Sequence, residues 1–439
     1  MPETPHRPRD PTRPPLPRAV WLLSWVSFLA DVSGEMIYPL LALFLVGVLG
    51  SSKAQLGIVE GGAVLIVSVL TAFAGFRSDR SGRRVVWIRV GYALPMLGKA
   101  MIAVATGWGV VLGGRLLDRF GKGLRSAPRD AMIAGAVEAD QRGRAFGVHR
   151  ALDTAGALAG VLLSALLLWW MTGTPAKSAH PGVAATAAQT PAWIYRVIFG
   201  VGAGLGLASF LLTLLVRESD AAQPTADAPA PARASRGGAT ATGAQTAVRV
   251  RLPRSYWMVL GVLVLFSLAN SSDTFILLRA SDLGYSPWAV VMVYALFNVT
   301  YAALSYPAGS LSDRLGRWRI IAVGWVIYAV VYAGFALLPA AHAWGMWPLM
   351  ALYGIYMALT DGVGKALISD HSPGARRGAA MGIFYALTGL TTLVASLVAG
   401  LAWDRSGPTG AFLIGAGFAV VALAALGVVA LTAGRRAGR

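Results

Sequence analysis

A chain of 439 residues that is 56% hydrophobic and only 13% charged carries about half the charge of an ordinary soluble domain, which excludes a water-soluble globular protein. The absence of cysteine excludes disulfide staples and thiolate metal sites, and leaves the compartment open. The net charge of +18 raises nucleic acid as a partner, a reading that depends on where the basic residues fall.

Taken in chain order, residues 1–18 are rich in Pro and Arg and lack the apolar core of a signal peptide, so a disordered tail is expected. Twelve apolar windows follow, near 20–48, 56–76, 85–106, 108–126, 146–171, 192–216, 255–278, 287–308, 319–339, 344–369, 379–402 and 409–433. Each is long enough for a span of roughly 20 residues. Lipid offers a backbone no hydrogen bonds, so such runs must be helices. Segment 172–191, which contains His180, is biased to Ala, Thr and Pro and is expected to form a loose outer loop. A longer stretch of the same kind, 217–253, reads as a flexible linker, and 434–439 as a basic tail. The expected organisation is an all-α polytopic membrane protein with a six-helix bundle over 19–216 and another over 254–433.

The basic residues alternate. They crowd 1–18, 77–84, 125–144, 217–254, 314–319, Arg376–Arg377 and the end of the chain, while the intervening loops hold only Lys53, Lys177, Arg279 and Arg405. By the positive-inside rule both termini are expected to be cytoplasmic, in a chain expected to lie in the cell's inner membrane. Basic loops this short are topology signals first, so no nucleic-acid partner is expected.

The first such loop, Gly75-Phe76-Arg77-Ser78-Asp79-Arg80-Ser81-Gly82-Arg83-Arg84, returns as Gly309-Ser310-Leu311-Ser312-Asp313-Arg314-Leu315-Gly316-Arg317-Trp318-Arg319. Other pairs repeat as well. Asp118 and Lys122 answer to Asp361 and Lys365, each Lys preceded by a glycine, and the run 142–147 answers to 377–382. The loop has the G-x-x-x-D-R-x-G-R form found between the second and third helices of the major facilitator superfamily, and the whole chain apart from its tails resembles that superfamily. The resemblance implies two pseudo-symmetric bundles rocking about a midplane site, and a monomer in the bilayer that carries a small molecule. It also implies a cytoplasmic gate at Gly75, Asp79, Arg80, Gly82 and Arg83 and at Gly309, Asp313, Arg314, Gly316 and Arg317. There each carboxylate faces arginines and a helix N-terminus. The run Asp118–Asp130, D-R-x-G-K-G-x-R-x-x-P-R-D, is similar to one borne by a prokaryotic branch of the superfamily.

Ionisable groups at membrane depth cost about 2.5–3.5 kcal/mol each on insertion scales, so they face a cavity or a partner. Asp31 and Glu35 lie one turn apart ahead of Tyr38-Pro39 in the first window. Burial and nearby cations act oppositely on a carboxylate's proton affinity, so this pair can change protonation as a cavity opens and closes. Similar residues couple protons in drug antiporters of the superfamily, and Tyr38-Pro39 resembles the end of their first-helix motif. Glu60 could serve likewise; the alternative for Asp31 and Glu35 is a static pair with Arg115 or Arg119. In the fourth window Arg115, Asp118, Lys122, Arg125 and Arg129 recur every three or four residues along one face, with Arg119 beside it. Arg115, Asp118, Arg119 and Lys122 are candidate cavity residues, although Asp118 could instead pair on its own helix or hold the gate. The superfamily's arginine motif in this helix fits Arg115 by alignment to Pro128 and Arg119 by literal spacing. Lys99 stands isolated in the third window. Gly156 and Gly160 permit close packing of the fifth, but Val161 replaces the proline of the exporter motif. In the second half Asn270 and Asp273, within Asn270-Ser271-Ser272-Asp273, occupy the position related by the repeat to Asp31, and Asp361 and Lys365 mirror the fourth window.

Enzyme signatures are missing. Neither Gly121-Lys122 nor Gly364-Lys365 has the upstream glycine of a phosphate-binding loop, and five scattered histidines give no metal spacing, so no cofactor is expected. The sequence therefore predicts a proton-coupled secondary exporter of a small molecule. Alternatives are transport of an organic or phosphorylated anion by Arg115, Arg119 and Lys122, and a membrane receptor that binds without flux.

Overall fold

The computed structural model describes residues 15–81, 83–138, 141–173, 190–218, 252–372 and 377–437. Among these residues there are helices and no strands. In chain order they are α1 (Arg18–Leu43), α2 (Lys53–Ser81), α3 (Arg84–Ala103), α4 (Trp108–Gly135), α5 (Arg142–Thr172), α6 (Ala192–Thr213), α7 (Arg254–Ser267), α8 (Thr274–Asp282), α9 (Pro287–Leu315), α10 (Arg317–Leu337), α11 (Met346–Asp370) and α12 (Arg377–Ala437).

Eight helical stretches are long and apolar enough to cross a membrane. The last of these belongs to α12, which turns at Gly407 (φ +73°), a conformation suited to glycine, and so supplies two spans. The other spans fall short for physical reasons. Charges interrupt α4, polar groups thin the apolar character of α11, and α7 with α8 are the halves of one broken span.

That break differs from the single span expected over 255–278. The helix unwinds over 268–273 because short polar side chains there compete for backbone hydrogen bonds. The Ser272 hydroxyl takes the Thr274 N–H at 3.4 Å, and the Ser272 N–H donates to Ser396 Oγ of α12 at 3.0 Å. Tyr328 of α10 donates to the Ala269 carbonyl at 2.5 Å. Non-helical backbone survives at membrane depth only where protein satisfies it in this way. The fourth span is also longer than its window, with α4 continuing through Pro128 to Gly135.

The ends of the molecule differ. Opposite the arginine-rich loops, α2 of the first half lies against α12 of the second. Gly57 meets the Ser396 backbone, Gly61 meets Leu393, and Gly400 meets the Lys53 backbone, each too close to admit a Cβ. At the arginine-rich end, a Cβ on Gly143, Gly147, Gly309 or Gly364 would meet open space. The halves are therefore packed together at the end opposite the arginine-rich loops.

Candidate functional site

Between the halves lies a cavity of about 440 Å³, the size of a small-molecule site. Helices α1, α2 and α4 supply Glu35, Tyr38, Glu60, Arg115, Arg119 and Lys122 from the first half. The break between α7 and α8 supplies Asn270, Ser271, Ser272 and Asp273 from the second, and α9 adds Tyr294. Ala63, Val64, Val67 and Met357 make the apolar part of the lining.

The first half compensates most of its own charge. Arg115 grips Glu60 through both carboxylate oxygens, at 2.7 Å from Nε and 2.8 Å from the second terminal nitrogen. This geometry is the strongest form of guanidinium–carboxylate bond. The Arg115 guanidinium also lies 5.3 Å from the centre of the Tyr38 ring. Asp118 stands one turn further along α4, 3.7 Å from Arg115, 3.5 Å from Arg119 and 3.8 Å from Lys99. Lys99 is thus not isolated, as its lone place in the third window implied. Its ammonium donates to Ser33 Oγ at 2.8 Å, and Ser33 donates onward to the Gly202 carbonyl of α6 at 2.5 Å. Further down α4, Arg125 stacks 4.2 Å from the Tyr92 ring and Arg129 donates to Ser27 Oγ at 2.9 Å.

Three charges on the cavity wall have no ion pair among the described residues. Lys122 of α4 makes neither a side-chain hydrogen bond nor an ion pair. Glu35 of α1 accepts a hydrogen bond at 2.9 Å from Tyr294, which reaches it from the other half. Asp273, at the helix break, accepts one from Tyr353 of α11 at 2.6 Å. Asn270 adds a buried side-chain oxygen with no partner. Asp31 lies back from the cavity, near Asp153 of α5, Lys122 and Arg125.

Asp361 and Lys365 do not line the cavity. They pair with each other at 2.7 Å, and Tyr301 donates to Asp361 at 3.0 Å. Of the expected gate, Gly75, Asp79 and Arg80 fall on the last turns of α2, but their side chains and Gly82 lie outside the described residues. Arg83 precedes α3. In the second copy Gly316 takes φ +94° at the end of α9, where only glycine is comfortable. Asp313 is 71% exposed, 3.7 Å from Arg317, which pairs at 2.8 Å with Asp370. Gly309 and Arg314 lie beside Asp313 along a shallow cleft.

Sequence reasoning missed the aromatic wall behind Asp273. Tyr328 and Tyr332 of α10 stack with centres 4.0 Å apart, Tyr353 and Tyr356 of α11 lie 5.3 Å apart, and Phe266 stacks on Trp325 at 4.4 Å. Its signal was present as tyrosines four apart on one helix and three apart on the next.

Residues 23–364 and 292–438 match the model of the Major Facilitator Superfamily. An uncharacterized MFS-type transporter of Methanocaldococcus jannaschii is 32% identical over 416 residues, covering 92% of this chain and 93% of that protein. Multidrug resistance protein MdtH of Cronobacter sakazakii is 33% identical over 133 residues, 30% of this chain and 33% of its own. Among solved structures, the nucleoside transporter NupG superposes with a TM-score of 0.71 at 14% identity, over 94% of this chain and 99% of that one. A bacterial homolog of the human lysosomal transporter Spinster, inward-facing and occupied, gives 0.68 at 16%, over 94% and 96%. Likeness at such identities concerns the fold alone.

Proposed function

The chain belongs to the major facilitator superfamily, and we propose that it is a proton-coupled secondary transporter that exports a small molecule across the inner membrane by alternating access. The moving units are residues 19–216 and 254–433, tethered by 217–253. The observation that carries the coupling is the bond from Tyr294 to Glu35. It joins the two halves through a carboxylate on the cavity wall. A proton arriving on Glu35 removes the charge that draws the tyrosine hydroxyl, and one link between the halves weakens. Asp31, one turn away and near Lys122, would share that proton. Glu60 is held by Arg115, so its part is to fix that arginine in place.

Export is supported by the partial likeness to a protein named for multidrug resistance. The gate carboxylates act in the opposite state. Asp313 is largely exposed, and it and Asp79 would engage further arginines when the arginine-rich end closes. The test uses purified protein in liposomes, with a compound panel followed with and without an imposed pH gradient. Glu35→Gln should retain downhill exchange and lose its response to the gradient. Parallel loss of both would assign Glu35 a structural role instead.

A further inference from the structure

We infer that the substrate is amphoteric: a small compound with an anionic group at one end, a cationic group at the other, and an apolar body between. This rests on the transporter reading above and names the class of compound that the central cavity takes.

The inference starts from charges left without partners. A charge buried at membrane depth costs several kcal/mol unless something neutralises it, and this protein neutralises most of its own. Arg115 is held by Glu60, and Asp118 stands within 4 Å of Lys99, Arg115 and Arg119. On the cavity wall Lys122 has no hydrogen bond and no ion pair within 4 Å among the described residues, Asp31 and Glu35 acting on it from farther off, and Arg119 has only the 3.5 Å approach to Asp118. Both project from α4, and together they call for an anion. Facing them across the same cavity, the α7–α8 break presents Asp273. One of its oxygens takes the Tyr353 hydroxyl and the other has no hydrogen bond. Asn270 in the same break leaves its side-chain oxygen buried and unpartnered. The Asp273 carboxylate is a charged acceptor on the cavity wall, and what satisfies it is an ammonium or amidinium group.

Size and lining agree. Ala63, Val64, Val67 and Met357 lie in the same lining as the two polar poles, so the middle of the ligand is apolar. A purely anionic substrate would leave Asp273 unanswered. A lipophilic cation would leave Lys122 with no contacting anion, only the more distant Asp31 and Glu35. Only a ligand with both charges answers both walls, and it would draw the halves together across the cavity. Glu35, already bonded by Tyr294, remains available for the proton.

The test is thermal stabilisation of the full-length purified protein in detergent by a panel of amino-acid-like compounds below roughly 400 Da, a size suited to such a pocket. Each compound is presented in three forms: unmodified, N-acylated so that only the anion remains, and esterified so that only the cation remains. Unmodified members should stabilise the protein, and either blocked form should bind about ten- to a hundred-fold more weakly, the loss expected for one charge-assisted hydrogen-bonded contact. Lys122→Gln should erase the preference for the unmodified form over its ester while keeping that over the N-acyl form. Asp273→Asn should do the reverse. Stabilisation by single-charge forms as strong as by the parents, or by no amphoteric member, would overturn the inference. Because binding is read without a gradient, the two proposals separate. Gradient-driven flux of a purely cationic compound would sink the amphoteric class and keep proton coupling, and amphoteric binding without gradient-driven flux would do the opposite.

Discussion

The two halves repeat a loop and an Asp–Lys spacing, yet their interiors are built from different chemistry. On and behind the cavity wall the first half holds Glu60, Lys99, Arg115, Asp118 and Arg119, packed so that each charge touches another of the same half. The second half holds Tyr328, Tyr332, Tyr353, Tyr356, Phe266 and Trp325, stacked ring on ring, with Asp273 the one carboxylate it shows to the cavity. A duplicated fold constrains the backbone and the loops that frame its motion. The interior of each half can diverge, provided its polar groups are satisfied within the unit that moves. A self-contained charge network lets the first half rock with most of its ions compensated, Lys122 and Glu35 excepted, and an aromatic wall lets the second do so with few charges to compensate.

The comparison is broken most severely by opening the first half's network. Glu60→Gln takes from the buried Arg115 guanidinium its bidentate carboxylate and leaves only the 3.7 Å approach of Asp118, a loss that should approach the roughly 3–5 kcal/mol of a broken buried pair. A large fall in the detergent melting temperature is expected. The double variant Glu60→Gln/Arg115→Met removes both charges and should recover most of that loss. A single variant as stable as the parent would mean that water or lipid already solvates the arginine.

How far this difference was legible in the sequence depends on how local its signal is. The spans, the repeated loop and the charged face of α4 follow from hydrophobic runs and three- and four-residue spacing, so they read directly. The pairing of Glu60 with Arg115 does not, because the partners are 55 residues apart and nothing local says which of the acids reaches which of the bases. Lys99 looked solitary for the same reason, its partners Ser33 and Asp118 lying on two other helices. Asn270–Asp273 stood out as polar, but an apolar window carries no mark of where a helix unwinds. The tyrosine wall was missed because aromatic residues at helical spacing look the same whether they face lipid or each other.

A smaller effect should come from the aromatic half. Tyr328→Phe keeps the ring stack and deletes only the hydroxyl that satisfies the Ala269 carbonyl at the helix break. The Ala269 carbonyl keeps the Ser271 N–H at 3.2 Å, so the cost should be about 0.5–1.5 kcal/mol, that of one hydrogen bond lost. Because the break carries Asp273, affinity for the cationic end of a ligand should fall along with stability. If Tyr328→Phe proves as damaging as Glu60→Gln, the distinction between a charged half and an aromatic half loses its energetic meaning.

The smallest effect is expected where the halves meet at the sealed end. Asp404 of α12 reaches across the seam and accepts the Lys53 N–H at 3.1 Å and the Ala54 N–H at 3.0 Å, two donors in the first turn of α2 that have no partner within their own helix. Its other contact, with the Lys53 ammonium at 3.9 Å, is solvent-accessible and adds little. A capping carboxylate contributes about 1 kcal/mol, and here it contributes only while the seam is shut. Asp404→Ala should therefore leave the fold of each half intact and raise the seam-open population about five-fold, the factor that 1 kcal/mol corresponds to. The natural chain has no cysteine, so spin labels on Thr106→Cys and Ser406→Cys, one at the sealed end of each half, would report that population by pulsed distance measurement without background. An unchanged distance distribution in Asp404→Ala would show that the packing of Gly57, Gly61 and Gly400 alone holds the seam, with the cap contributing nothing to the choice between states.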